Sequence, residues 1–341
     1  MPAGSGDIEN HCMSFANSTQ TRIADFLRKL ENSGAAARSF ASISALKAQP
    51  SLVFRSSDSE GKRPFAVVEN VFRQGLINGI KGNDNVIVQS NGLSPELMGV
   101  LCEGTAMGLA MLDMNTSWQK KDRWRSFLNG EGARHVYEVH VGLGLALAQM
   151  ALPFENRLDE LDAQYKWLVV DGYAFHKGLF KQESVDPNAK LSSKLIKQVY
   201  SARAFDQGLG RSLWFVHSAV ANDIACSINT FAGSRQGDLW SGIGIAAAHA
   251  GGIDSEGLHS LKSHAADNAI WLAYGAAFAA KIREYAGTQA QHTDMACQIF
   301  CNMSASEAAT ITDRAQENLP ADTQEPSYEI WRQRISQHFA N

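Results

Sequence analysis

Seven glycines recur at similar intervals along this chain, each inside a stretch that otherwise suits a helix. They are Gly75, Gly104, Gly142, Gly172, Gly208, Gly242 and Gly275, separated by 29, 38, 30, 36, 34 and 33 residues. Such an interval is the length of one helical hairpin, and its repetition is typical of stacked helix pairs. The sequence therefore predicts an all-α fold of about six to seven tandem helical hairpins of ~33 residues, arranged as an α/α toroid or a strongly curved α-solenoid.

The same glycines predict where the helices pack. A glycine inside a helix costs about 1 kcal/mol relative to alanine, which close packing has to offset. The residue four positions later shares the helix face, and it is small in six of the seven cases, namely Gly79, Gly108, Ala146, Ser212, Ala246 and Ala279. Small residues on one face let two helix backbones approach closely. His176, four residues after Gly172, breaks this pattern and is therefore a candidate functional residue.

The residue pattern divides the 341 residues into three parts. Residues 1–64 form a polar leader, expected to be partly disordered, with one short helix at 22–30. Residues 65–315 form the helical-repeat domain, with second helices of the hairpins expected at 221–231, 256–265 and 295–309. Residues 316–341 comprise a polar linker and an amphipathic helix, in which Trp331, Ile335 and Phe339 share a face and cap the last repeat.

Composition narrows the range of functions. A formal net charge of −4 without a basic patch argues against a nucleic-acid partner. The longest apolar stretch, 142–154, is interrupted and too short for a membrane span, and the leader lacks the features of a secretory signal. The five cysteines are scattered and fit reduced thiols. We therefore expect a cytoplasmic protein without a membrane span.

Polar side chains close to the glycines suggest a site. In a closed array, equivalent positions of successive helices converge on a central cavity, and the polar candidates are Glu103, His140, Asp171, Asp206 and Gln207. The aromatic candidates are Tyr173, Phe175, Trp214, Trp240 and Trp271. A carboxylic acid in apolar surroundings has a raised pKa and can donate a proton, while aromatic faces stabilise a cation. Capping of the helix starts is the alternative role for the acids.

Three residues are predicted to be catalytic: Asp171, His176 and Glu103. Asp171 and His176 are five residues apart, or about 140° around a helix, so they cooperate only through a distorted helix or a bridging substrate. Arg211 shares a helix face with Gln207 and is predicted to bind a polar end of the substrate, or else to pair with Asp206.

A metal ion is not predicted. His135 and Glu138 can meet on one helix, but His140 lies off their face. Cys297 and Cys301 are four apart, with His292 and Asp294 upstream, and two buried thiols are the more common explanation. The sequence contains no phosphate-binding loop, dinucleotide fingerprint or serine nucleophile elbow, and no cofactor is predicted.

Six strings resemble a bacterial family called domain of unknown function 1702: EGTAMGLA (103–110), HVYEVHVG (135–142), DGYAFH (171–176), FDQGLGRSLWF (205–215), DLWSGIG (238–244) and GAAFAAK (275–281). They follow the family's order and cover about residues 65–315, which places the leader and the C-terminal helix outside the shared region. The family is typified by proteins of enediyne polyketide biosynthesis clusters, so the resemblance implies a role in making an unsaturated natural product. It brings no established mechanism or cofactor.

Two functions follow as expectations. The first is a metal-independent cyclase or isomerase that processes a long apolar unsaturated substrate, a polyene, polyketide or isoprenoid, by acid catalysis. The second is a non-catalytic helical-repeat scaffold that binds a polyketide synthase or carrier protein. A closed aromatic cavity favours the enzyme, whereas an open concave surface favours the scaffold.

Overall fold

The computed structural model describes residues 63–116, 121–180, 199–323 and 325–340, and within these ranges the chain is helical without strands. The predicted all-α class is confirmed. Thirteen helices longer than one turn are described: α1 Arg63–Ile80, α2 Met98–Asn115, α3 Arg123–Asn129, α4 Val136–Gln149, α5 Lys166–Phe180, α6 Val199–Val216, α7 Ala221–Asn229, α8 Gly233–Ala250, α9 Ser255–Ala265, α10 Ala269–Ala286, α11 Gln291–Cys301, α12 Ala305–Gln316 and α13 Ser327–His338. The predicted leader helix at 22–30 lies outside the described residues.

Each of the seven recurring glycines lies in its own helix, and these glycine helices are α1, α2, α4, α5, α6, α8 and α10. They pack on one another in chain order. A Cβ added to Gly104 would lie 2.1 Å from the carbonyl oxygen of Phe72 in α1, and one added to Gly275 would lie 2.1 Å from that of Ser241 in α8. No side chain fits in such a gap, so these contacts require glycine.

In three of the glycine helices, a second glycine two positions after the first packs against the following glycine helix. In α4, a Cβ on Gly142 would lie 2.6 Å from the carbonyl oxygen of Glu103 in α2. A Cβ on Gly144 would lie 2.1 Å from that of Val169 in α5. Residues two apart point to nearly opposite sides of a helix, so each Gly-x-Gly pair serves both neighbours. The same arrangement recurs at Gly208 and Gly210 and at Gly242 and Gly244.

Shorter helices form a second row, in which α7 packs on α9 and α9 on α11. The expected helices at 221–231 and 256–265 correspond to α7 and α9. The expected helix at 295–309 is wrong, because the chain breaks there into α11 and α12. Asn302 adopts a left-handed conformation with φ 57°, and Ser304 starts α12 with a capping box to Glu307.

Two contacts join distant parts of the chain. The ring of Tyr137 at the start of α4 packs on Phe278 of α10, with 5.5 Å between ring centroids. The short turn Ala133–His135 also packs on α10. The third glycine helix therefore contacts the seventh.

The C-terminal helix α13 packs on α10 and α12 and buries Trp331 and Ile335. Within the described ranges, the segment Pro95–Asn115 is the one helix long and apolar enough to cross a bilayer, and 67% of its apolar window is buried inside the protein.

Candidate functional site

The residues that directly precede three successive glycines form a hydrogen-bonded chain. Gln207 in α6 donates from Nε2 to Oδ2 of Asp171 in α5 at 2.9 Å. Ser241 in α8 lies with its Oγ 3.4 Å from Oε1 of the same glutamine. The glycine contacts explain the register, because a Cβ on Gly208 would lie 2.0 Å from the carbonyl oxygen of Asp171. Close packing thus brings equivalent positions together, as the repeat predicts.

Arg211 binds the other carboxylate oxygen of Asp171. Its Nη1 donates to Oδ1, so both carboxylate oxygens accept hydrogen bonds, and only 1% of the aspartate side chain is exposed. The guanidinium lies 4.9 Å from the centroid of the Phe175 ring, a cation–π distance. Burial lowers the pKa of Arg211, but the charges of Asp171 and Glu103 outweigh burial and raise it above the usual value. The predicted pair with Asp206 is wrong, since Arg211 binds Asp171.

Glu103 is a second acid in this interior. It lies in the middle of α2 and is 8% exposed, and no hydrogen bond joins its carboxyl to another described residue. Burial raises the pKa of Glu103 to about 7, with the positive charge of Arg211 lowering it and the negative charges of Glu138 and Asp171 raising it. A large fraction of this carboxyl therefore holds a proton at neutral pH.

Glu138 of α4 is a third buried acid, flanked by two histidines. Its Oε1 lies 3.6 Å from Nδ1 of His135 and 3.5 Å from Nε2 of His249, while its Oε2 has no hydrogen-bond partner. Burial raises the pKa of Glu138, but the two histidines outweigh burial and hold it well below its usual range. Burial, with the charge of Arg283, lowers the pKa of His249 to about 4, so this imidazole is neutral near pH 7.

We call Glu103, Glu138, Asp171, Arg211 and His249 the central polar cluster, because electrostatic interactions connect all five. Five different helices supply these residues. Sequence reasoning selected three of them and missed Glu138 and His249 as members of this site. The spacing of His135 and Glu138 was the available signal, but the third group, His249, is more than a hundred residues away in the chain.

His176 and Asp206 lie apart from this cluster. His176 is buried, with its Nε2 at 2.8 Å from Oε1 of Gln149. Asp206 binds Arg235 through two hydrogen bonds of 2.9 and 2.6 Å. Helix geometry explains both positions. His176 comes five residues after Asp171 and Asp206 comes five residues before Arg211, and residues five apart on a helix point about 140° away from each other.

The other predicted binding residues are buried in the core, except Tyr173, which is half-buried and packs against it. The Nδ1 of His140 is 2.6 Å from the carbonyl oxygen of Val136, and burial lowers its pKa to about 4. Tyr173 packs edge-on against Phe154, with 5.1 Å between ring centroids. Trp214 is fully buried and donates from its indole nitrogen to the carbonyl oxygen of Gly251, and Trp240 is 1% exposed.

A larger ion-pair network joins the C-terminal helix to the glycine helices, and sequence reasoning missed it. Arg332 of α13 is fully buried and donates to Asp238 at 2.8 Å and to Ser241 at 3.4 Å. Arg203 of α6 binds Asp238 through two hydrogen bonds and also binds Glu329. Through Ser241, this network connects to Gln207 of the hydrogen-bonded chain.

The residues considered for a metal have other contacts. Both thiols lie near main-chain carbonyl oxygens, Cys297 near that of Ala276 at 3.6 Å and Cys301 near that of Ala273 at 3.3 Å. Across the described ranges, no group of three His, Cys, Asp or Glu side chains has an arrangement suited to a metal ion.

Comparison with known proteins gives one match. The model of a family described as "Protein of unknown function (DUF1702)" matches residues 35–339. No curated protein and no solved structure matches the chain. The match extends beyond the resemblance at 65–315 in both directions, to residues 35–64 of the leader and to α13. The expectation that the leader and the C-terminal helix lie outside the shared region is therefore wrong. The burial of Arg332 gives the physical reason, since α13 belongs to the core.

Proposed function

This chain belongs to the DUF1702 family, and we propose that it is an enzyme of natural-product biosynthesis that isomerises or cyclises a long apolar unsaturated substrate by acid catalysis. The pathway rests on the resemblance to proteins of enediyne biosynthesis clusters. The chemistry rests on one observation, the carboxyl of Glu103, whose side chain is largely buried and has no hydrogen bond to another described residue. We propose a cytoplasmic location, with a polyketide synthase or its carrier protein as the source of the substrate.

Glu103 suits the role of proton donor. A general acid works best when its pKa lies close to the working pH, because the proton is then both present and readily transferred. With its pKa raised to about 7, Glu103 meets this condition. Its carboxyl has no hydrogen bond to another described residue, so no acceptor within the described part of the chain competes for the proton.

Asp171 suits the role of anchor. Both of its oxygens accept hydrogen bonds, one from Gln207 and one from Arg211, which holds the carboxylate in one orientation. Arg211 is thereby held near Glu103. Its positive charge limits the rise in the pKa of Glu103, which keeps the acid from becoming too weak to react.

A closed ring of helical hairpins is part of this proposal. The contact of Tyr137 with Phe278 supports closure, because it joins helices four steps apart in the row. A closed row surrounds the central polar cluster and keeps water from a reactive cation.

The test uses a producing strain whose copy of the gene is deleted and then replaced by a variant. We expect Glu103→Gln to abolish the final product, Asp171→Asn and Arg211→Met to reduce it, and the exposed-site control Glu317→Gln to restore it fully. Circular dichroism and protein level verify folding. If the folded Glu103→Gln protein restores the product fully, acid catalysis is wrong and the scaffold function stands.

A further inference from the structure

The carboxylate of Glu138, which extends from α4, contacts α2 one helical turn before Glu103 and on the same face of that helix. Gly99 and Glu103 are four residues apart and therefore share that face. A Cβ added to Gly99 would lie only 2.3 Å from Oε1 of Glu138, so the Glu138 carboxylate rests directly on α2 at this glycine. The rise of about 1.5 Å per residue places the backbone of Gly99 about 6 Å below that of Glu103.

Glu138 also has one carboxylate oxygen that accepts no hydrogen bond. Its Oε2 is buried without a hydrogen-bond partner among the described residues, whereas Oε1 is flanked by His135 and His249. A buried carboxylate oxygen without a partner costs free energy, so its persistence in the core calls for an explanation. Asp171 differs, because both of its oxygens are occupied. Glu138, unlike Asp171, therefore has a carboxylate oxygen left to accept a proton.

We propose that Glu138 is the proton acceptor of the reaction that Glu103 begins, with His135 and His249 as its positioning residues. This inference rests on the proposed function and extends it by one catalytic residue. It also defines the reaction class: a proton enters the substrate at one carboxyl and leaves at the other. The product is therefore an isomer of the substrate, with a moved double bond or a new ring.

The electrons balance without an oxidant or reductant. The π electrons of a substrate double bond take the proton of Glu103 to form a C–H bond, which leaves a cation on the neighbouring carbon. A second double bond of the substrate attacks that cation when a ring forms. The ionised Glu138 then removes a proton from the carbon beside the cation, and the electrons of that C–H bond form the new double bond.

The electrostatics of the two acids favour this division of roles. The environment raises the pKa of Glu103 and lowers that of Glu138, so one is protonated while the other is ionised. Two acids whose pKa values are pushed apart are typical of an acid and base pair. A carbocation loses a proton easily, so even a weakly basic carboxylate is sufficient, and its negative charge also stabilises the cation before the proton leaves.

The experiment incubates the purified full chain in D2O with an organic extract of the deletion strain and follows the products by mass spectrometry. We expect the wild-type protein to convert one compound into an isomer that carries one deuterium. For Glu138→Gln we expect conversion to fall about 100-fold or more, the usual contribution of a general base, with a water adduct of the substrate as the remaining product. A variant that is only misfolded does not form that adduct.

A second variant addresses the case in which Glu138→Gln does not fold. Gly99→Ala removes no functional group but displaces the Glu138 carboxylate, so it is expected to yield the same adduct. If both variants keep the wild-type rate and the wild-type product, the assignment of Glu138 is overturned while the proposed function stands. If Glu103→Gln is as active as wild type, or if the wild-type product carries no deuterium, the proposed function itself fails.

Discussion

Replacement of Glu103 by glutamine is expected to change how stability depends on pH. The pKa of Glu103 is raised from the usual 4.5 to about 7, which corresponds to roughly 3 kcal/mol at about 1.4 kcal/mol per pKa unit. The folded protein binds this proton more tightly than the unfolded chain. The stabilisation is therefore fully present below pH 4.5 and is lost as the pH rises through 7.

Glutamine at position 103 stays neutral at every pH, so the variant does not lose this stabilisation as the pH rises. Between about pH 4 and pH 8, we expect the free energy of unfolding of Glu103→Gln to rise relative to wild type by roughly 3 kcal/mol. Urea denaturation at several pH values, followed by circular dichroism, measures this difference, and groups common to both proteins cancel. Glu317→Gln, at an exposed position, is the matched control and should show no such change. A constant difference across the pH range would show that folding does not raise the pKa of Glu103.

Two further predictions concern packing and the ion-pair network. Gly242→Leu is expected to destabilise the fold by about 3 kcal/mol or more, because even a Cβ there would lie 2.1 Å from a backbone oxygen. Gly233→Ala is the control, since nothing lies within 4 Å of its added Cβ, and an equal melting temperature for the two variants would contradict the packing. Arg332→Met is expected to cost about 3–5 kcal/mol, because it leaves Asp238 and Glu329 with one arginine. Urea denaturation measures this cost, and a loss below about 1 kcal/mol would contradict it.

The glycine pattern predicted much of the fold. Every one of the seven glycines lies at a helix contact, because a missing side chain inside a helix needs a close neighbour to offset its cost. The pattern also placed Asp171 and Gln207 among the equivalent positions expected to converge, but it did not predict the hydrogen bond between them. It did not predict Gly144 or Gly210 as contacts to the next helix, because the expected small residue was four positions away.

The partners of the charged residues were less predictable. Periodicity shows which face of a helix is buried but not which distant side chain lies opposite. Arg332 binds Asp238, 94 residues earlier in the chain. Trp331 and Ile335 define the apolar face of α13, and nothing in that pattern indicates that the adjacent arginine is buried. Such a partnership becomes visible only when α13 is placed on the glycine helices.

The surroundings of Glu138 could likewise be predicted only in part from the sequence. His135 lies three residues before it and was recognisable from sequence, whereas His249 comes from the end of α8. The orphaned oxygen that distinguishes Glu138 from Asp171 depends on the packing of several helices. No local pattern in the sequence contains that information.

A crystal structure of the protein soaked with extract from the producing cell is the most direct test of acid catalysis by Glu103. We expect electron density for an elongated apolar molecule whose reacting carbon lies within van der Waals contact of the Glu103 carboxyl and which also contacts the carboxylate of Glu138. Density found only on the outer surface of the helices, with Glu103 enclosed by protein on every side, would contradict acid catalysis and favour a scaffold.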